Sequence, residues 1–115
     1  MLFICYPKCT TCQRAKKFLD EKGIKYEERN IKEQNPSADE LKKWIAESGL
    51  PIKKFFNTSG MLYRSMQLAE RLPDMTDEEK IALLASDGML VKRPIVVEGK
   101  TVLVGFKAEE WEKLL

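Results

Sequence analysis

The apolar run Leu2-Phe3-Ile4-Cys5-Tyr6, cut off by Pro7, reads as a short buried strand at the start of the chain. A helical pattern follows: Cys12, Ala15, Phe18 and Leu19 recur at spacings of three and four, with Thr10 or Thr11 able to cap its start and Gly23 its end. Residues 25–30 read as a second strand, with Ile24, Tyr26 and Ile31 as inward positions. Two capping boxes come next, Ser37-Ala38-Asp39-Glu40 and Thr76-Asp77-Glu78-Glu79. The first opens a helix with Leu41, Trp44 and Ile45 on one face and a stop near Gly49. The second opens a helix through Leu84 that ends before Asp87-Gly88. Between them the pattern predicts a short helix over 51–56, a turn at Asn57-Thr58-Ser59-Gly60 and a helix over about 62–72. Ile95-Val96-Val97 and Thr101-Val102-Leu103-Val104 flank Glu98-Gly99-Lys100, a hairpin signal. Residues 107–115 form a closing helix with Trp111, Leu114 and Leu115 on one side, Gly105-Phe106 giving the turn before it.

The order is β-α-β, an all-helical insertion over about residues 36–90, then β-β-α. Without the insertion this is a thioredoxin-like α/β layout, a four-stranded mixed sheet flanked by helices. Trp44, Phe55, Phe56 and Trp111 are assigned to the core. At 115 residues the chain is one domain, 1–115, able to bury a core without staples.

Composition narrows the chemistry. With 43% hydrophobic and 33% charged residues the chain reads as a globular protein, and no stretch is apolar enough to span a bilayer. A net charge of +2, with basic and acidic residues alternating, gives no reason to expect direct nucleic-acid binding. The N-terminus lacks the pattern of a secretory signal, and three cysteines do not make a disulfide framework, so a reducing cytoplasm is the expected setting. The sequence contains no histidine, which removes Ser-His-Asp and Cys-His catalysis and histidine-based metal sites together.

What remains is thiol chemistry. Cys9 and Cys12 form a C-x-x-C at the first strand-to-helix junction. The first turn of a helix offers unpaired N–H groups and the positive end of the backbone dipole, and both favour a thiolate. A cysteine of ordinary pKa, ~8.5, is only a few per cent ionised at pH 7, whereas one lowered to ~6 is about 90% ionised. Cys9 is the candidate nucleophile and Cys12, one turn in, the candidate resolving thiol. The bland alternative for Cys9 is a surface or metal-binding thiol. A structural zinc site takes about four ligands. Only Cys5 could join the pair, and its place in the first strand reads as a core thiol, so no metal is expected. Arg93-Pro94, directly before a β-branched strand, is an ordinary strand-initiating proline on the simplest reading. In a thioredoxin-like layout that proline is cis and faces the C-x-x-C, making Arg93 a candidate anion binder. Lys8 and Thr11 complete the candidate substrate-binding set; Lys92 has two readings, a partner to Arg93 in anion binding and, more simply, a solvated charge.

Four segments together resemble the arsenate reductase (ArsC)/Spx-like family. They are Tyr-Pro-Lys-Cys-Thr-Thr-Cys-Gln-Arg-Ala over 6–15, Glu28-Arg29-Asn30-Ile31, Lys92-Arg93-Pro94-Ile95-Val96-Val97 and Val104-Gly105-Phe106. The resemblance runs in order along the whole chain. It implies a thioredoxin fold with a helical insertion, a nucleophile at Cys9 and a cis proline at Pro94. Arsenate reductases of this type hold the oxyanion with three arginines. Arg93 matches the middle one, while Asn57 and Gly105 stand where the others are expected, so the resemblance implies weak or absent arsenate reduction. Small ArsC-related thiol-redox proteins are the branch this chain is most similar to. The function then implied is a cytoplasmic thiol–disulfide oxidoreductase with no bound cofactor. Glutathione or another low-molecular-weight thiol, or a thiol-redox protein, would be its cosubstrate. The alternative implied is a Spx-like redox-sensing regulator that binds RNA polymerase.

Overall fold

The computed structural model describes residues 1–114. Strand β1 (Leu2–Cys5) lies inside a four-stranded sheet of order β2-β1-β3-β4, with β2 at Glu27–Asn30, β3 at Ile95–Glu98 and β4 at Thr101–Val104. β1 runs parallel to β2, with Leu2 opposite Glu27 and Cys5 opposite Asn30. It runs antiparallel to β3, which forms a hairpin with β4. The sheet is therefore mixed, and all four strands carry the layout expected from the chain.

Side chains alternate across the pleat and divide the core in two. Phe3, Cys5 and Val96 point to the face covered by helix α1 (Thr10–Glu21) and the closing helix α6 (Ala108–Glu112), where Cys12, Ala15, Leu19 and Trp111 are buried. Ile4 and Ile95 point to the other face. There they meet Leu41 and Trp44 of α2 (Ala38–Ser48), Leu84 of α5 (Asp77–Ser86), and Phe55 and Phe56. Every element between β2 and β3 is helical. Both capping boxes are formed, with Ser37 and Thr76 each accepting from the backbone N–H three residues on and the glutamate carboxylates reaching back. Trp44, Phe55, Phe56 and Trp111 are all buried.

Gly88 closes the insertion onto the sheet. A Cβ there would lie 1.8 Å from the Ile31 carbonyl oxygen, so only glycine lets the two backbones approach. On the other face Trp111 donates its indole N–H to the Gly105 carbonyl (3.1 Å) and stacks edge-on with Phe106, which fixes the start of α6.

The structure departs from the sequence reading in four places. The second strand is only four residues long, because β1 offers four partners; Tyr26 lies before it, hydrogen-bonded to Asp20 and packed edge-on against Phe3. Cys9, not a threonine, is the residue at the N-cap of α1, and its side chain makes no capping bond. The helix expected over 62–72 is two, α3 (Met61–Ser65) and α4 (Leu68–Arg71), separated by Gln67 at φ +53°. A left-handed residue cannot continue a right-handed helix, and the Arg71 guanidinium takes the freed Met66 carbonyl instead. The closing helix is shorter than expected, Ala108–Glu112, and Leu115 lies outside the described residues.

Candidate functional site

The Cys9 thiol lies at the junction of β1 and α1. Pro7 ends the strand, a backbone bond from the Cys9 N–H to the Tyr6 carbonyl (2.9 Å) tightens the turn, and Cys9 then opens the helix. The side chain is half-buried, on the wall of an open cleft of about 680 Å³. Thr11 and Arg93 share that cleft with it. The Arg93–Pro94 peptide bond is cis and Pro94 is buried, as the thioredoxin-like layout predicted.

Arg93 is the least satisfied polar group of the cleft. Its Nε and Nη1 are buried and make no hydrogen bond within the protein, while the guanidinium carbon lies 5.2 Å from the centre of the Tyr6 ring. A buried guanidinium with idle donors is costly unless something accepts from it, and anions with planar or tetrahedral oxygens suit its geometry.

Cys12 is turned away from this cleft and buried beside Cys5. Its Sγ accepts from the Tyr6 N–H (3.3 Å). Hydrogen bonding with Cys5 and then burial push the Cys12 thiol well above the ordinary cysteine range; the same bond from Cys12 lowers Cys5. All three cysteines are free. Among the described residues no group of three or more His, Cys, Asp or Glu is placed to hold a metal ion, and no helix is long and apolar enough to cross a membrane.

The fold thus brings Cys9, Thr11 and Arg93 together, with Pro94 directly behind Arg93. Cys12 faces a separate opening, and exposed Lys8 belongs to the lining of neither. Asn57 lines the Cys9 cleft, whereas Gly105 lines a neighbouring hollow with Thr11, Lys92 and Lys107. Sequence reasoning missed the far wall: Ser59, Met61, Leu62 and Ser65, with Asp87 and Met89, all from the insertion. Lys92, read as a solvated charge, is half-buried and also lines the cleft. The one available signal was the turn Asn57-Thr58-Ser59-Gly60, a polar loop followed by the exposed Met61, but nothing in the local pattern aims it at Cys9.

With this geometry in place, comparison with known proteins is informative. The model of the ArsC family matches residues 5–114. This chain belongs to the ArsC family. A crystal structure of a Bacteroides fragilis protein described as ArsC family related superposes with a TM-score of 0.97 at 60% identity, covering 99% of this chain and 96% of that one. The uncharacterized protein YusI of Bacillus subtilis is 52% identical over 98% of this chain and 96% of its own length. The global transcriptional regulator Spx of Staphylococcus haemolyticus is 27% identical over 95% of this chain and 82% of its own length. The relatives of this chain therefore include a protein named as a regulator of transcription.

Proposed function

We propose that this ArsC-family protein is a thiol–disulfide oxidoreductase. The observation that carries the reading is the placement of the half-buried Cys9 thiol in one cleft with the unpartnered Arg93 guanidinium. In the first step the Cys9 thiolate attacks one sulfur of a substrate disulfide. A Cys9–substrate disulfide forms and the other half leaves as a thiolate. Cys12, one helical turn on, then gives up its proton and attacks the Cys9 sulfur. The second substrate thiol departs, and a Cys9–Cys12 disulfide remains. Two equivalents of a low-molecular-weight thiol such as glutathione, or one dithiol protein, restore the pair by the same exchange chemistry. Arg93 holds an anionic group of the substrate during attack, with Thr11 and the backbone around Pro94 completing the docking surface. Lys8 contributes only long-range attraction, since it lies outside the cleft lining. The raised Cys12 thiol suits a group that stays protonated until a mixed disulfide forms beside it.

The match to Spx supports a second reading, a redox-sensing regulator in which the Cys9–Cys12 bond switches a surface that docks RNA polymerase. Turnover separates the two. The enzyme reduces many equivalents of oxidised glutathione or a model aryl disulfide when a reductant is supplied; stoichiometric oxidation that stops after one equivalent would favour the switch.

A further inference from the structure

The first strand carries a cysteine that the reaction above does not use. Cys5 is buried on the same face of the sheet as Cys12, in one cluster of packed side chains. Cys9 packs against that cluster, so the three cysteines gather where β1 gives way to α1. A second opening, of about 130 Å³, reaches Cys5 and Cys12 but not Cys9; Tyr6, Pro7, Gln13, Lys16 and Glu28 complete its lining. The Lys16–Glu28 ion pair (2.9 Å) belongs to that lining. An inert core thiol needs neither a sulfur partner nor a route to solvent.

We propose that Cys5 is a third redox thiol, which takes over the Cys9–Cys12 disulfide by internal exchange. The proposal rests on the oxidoreductase reading, in which that disulfide forms. Cys5 Sγ attacks Cys12 Sγ. A Cys5–Cys12 bond forms, the Cys9–Cys12 bond breaks, and its electron pair leaves on Cys9 Sγ, which takes up the proton lost by Cys5. No external oxidant or reductant is consumed, because one protein disulfide and one thiol become another disulfide and another thiol. Cys5 is placed for the attack because it shares with Cys12 both the buried cluster under α1 and the lining of the second opening. The result is a free Cys9 facing the substrate cleft while the oxidised pair faces the second opening.

Trypsin separates the two disulfides cleanly. Cleavage after Lys8 and Arg14 yields peptides 1–8, holding Cys5, and 9–14, holding Cys9 and Cys12. The full-length protein is oxidised with a small excess of oxidised glutathione, quenched with maleimide at successive times, digested without reductant and mapped by mass spectrometry. A looped 9–14 peptide is expected first. It should give way to 1–8 linked through Cys12 to 9–14, with maleimide on Cys9. In Cys9→Ser the cross-link should form about tenfold more slowly or not at all, since the buried pair must then be attacked directly. In Cys5→Ala the loop should persist. A loop that persists in the wild type with maleimide on Cys5 overturns the third-thiol proposal and leaves the oxidoreductase reading standing. A glutathione adduct that stays on Cys9 with no internal disulfide overturns both. A cross-link that forms as fast in Cys9→Ser as in the wild type overturns the exchange route.

Discussion

Arg93 lies with its guanidinium 5.2 Å from the centre of the Tyr6 ring, so the last aromatic residue of the β1 segment holds the cation of the β3 approach beside Cys9. The ring covers one face of the guanidinium, and Arg93 lines the cleft that holds Cys9. Arg93→Met should weaken capture of an anionic disulfide about 10- to 100-fold in kcat/KM, the loss expected for charge-assisted hydrogen bonds. Arg93→Lys should recover only part, because an ammonium cannot present the same planar fork. Steady-state kinetics with oxidised glutathione against an uncharged disulfide checks this, since the uncharged substrate should be nearly indifferent.

The difference in setting between Cys9 and Cys12 predicts a trapping experiment. Cys12→Ser should accumulate mixed disulfides on Cys9, visible as mass increments on the intact protein. In Cys9→Ser the remaining Cys12 should alkylate slowly across the neutral range, because its bond to Cys5 and its burial keep it protonated. Rapid iodoacetamide modification of Cys12 in that variant would reverse the two roles.

Arsenate reduction should be slow or absent. Asn57 lines the Cys9 cleft with a neutral amide, and Gly105 lies outside that cleft at φ +77°. Asn57→Arg should raise arsenate affinity measurably. Gly105→Arg should destabilise by about 1 kcal/mol through the left-handed backbone it would have to keep. Glutathione- or glutaredoxin-coupled arsenate turnover by the unaltered protein at a rate matching its disulfide turnover would contradict this.

Gly88→Ala should lower stability by about 2–3 kcal/mol, since the new methyl would overlap the Ile31 carbonyl. Gly49→Ala is the natural control. Gly49, unlike Gly88, is left-handed, at φ +70°, and faces open space, so only about 1 kcal/mol of backbone cost is expected. Urea midpoints for the two variants give the comparison.

Arg29 pairs bidentately with Glu40 (2.7 and 2.8 Å), joining β2 to the first turn of α2. The guanidinium, with help from Ser37, holds the Glu40 carboxyl down at about 2, against an ordinary 4.5. A depressed folded-state pKa contributes stability that is complete above pH 4.5 and is lost as pH falls through about 2. Glu40 retains 35% of its side-chain exposure, so solvent screening limits the pair to about 1 kcal/mol. The stability gap between the wild type and Glu40→Gln should therefore be present at pH 7 and close between pH 4.5 and 2.

Much of this molecule was legible along the chain because its signals are local. Ser37 and Thr76, each with a glutamate three residues on, announce the helices that start directly after them, Pro7 ends a strand, and the C-x-x-C falls at the turn that joins β1 to α1. The cis bond at Pro94 was legible only through the order of elements. What escaped was decided by contacts distant in sequence. No spacing rule tells that Ser59 and Met61 face Cys9, or that Gln67 turns left-handed between two short helices. Cys5 read as an ordinary core residue because strand periodicity records burial and not the neighbour across the gap.

The middle of the insertion is fastened, beside the cleft, to the segment that leads into β3. Phe56 forms an isolated bridge with Val91, the Lys92 N–H donates to the Phe55 carbonyl (2.7 Å), and the Asn57 N–H donates to that of Leu90 (2.8 Å). These bonds lie within a few residues of Arg93 on one side and of the Ser59–Leu62 wall on the other. The two jaws consequently share a rivet. They cannot part to swallow a bulky guest without tearing main-chain bonds anchored on two fully buried phenylalanines. Access is left to the rim, where Met61 stands 87% exposed beside the mouth of the cleft.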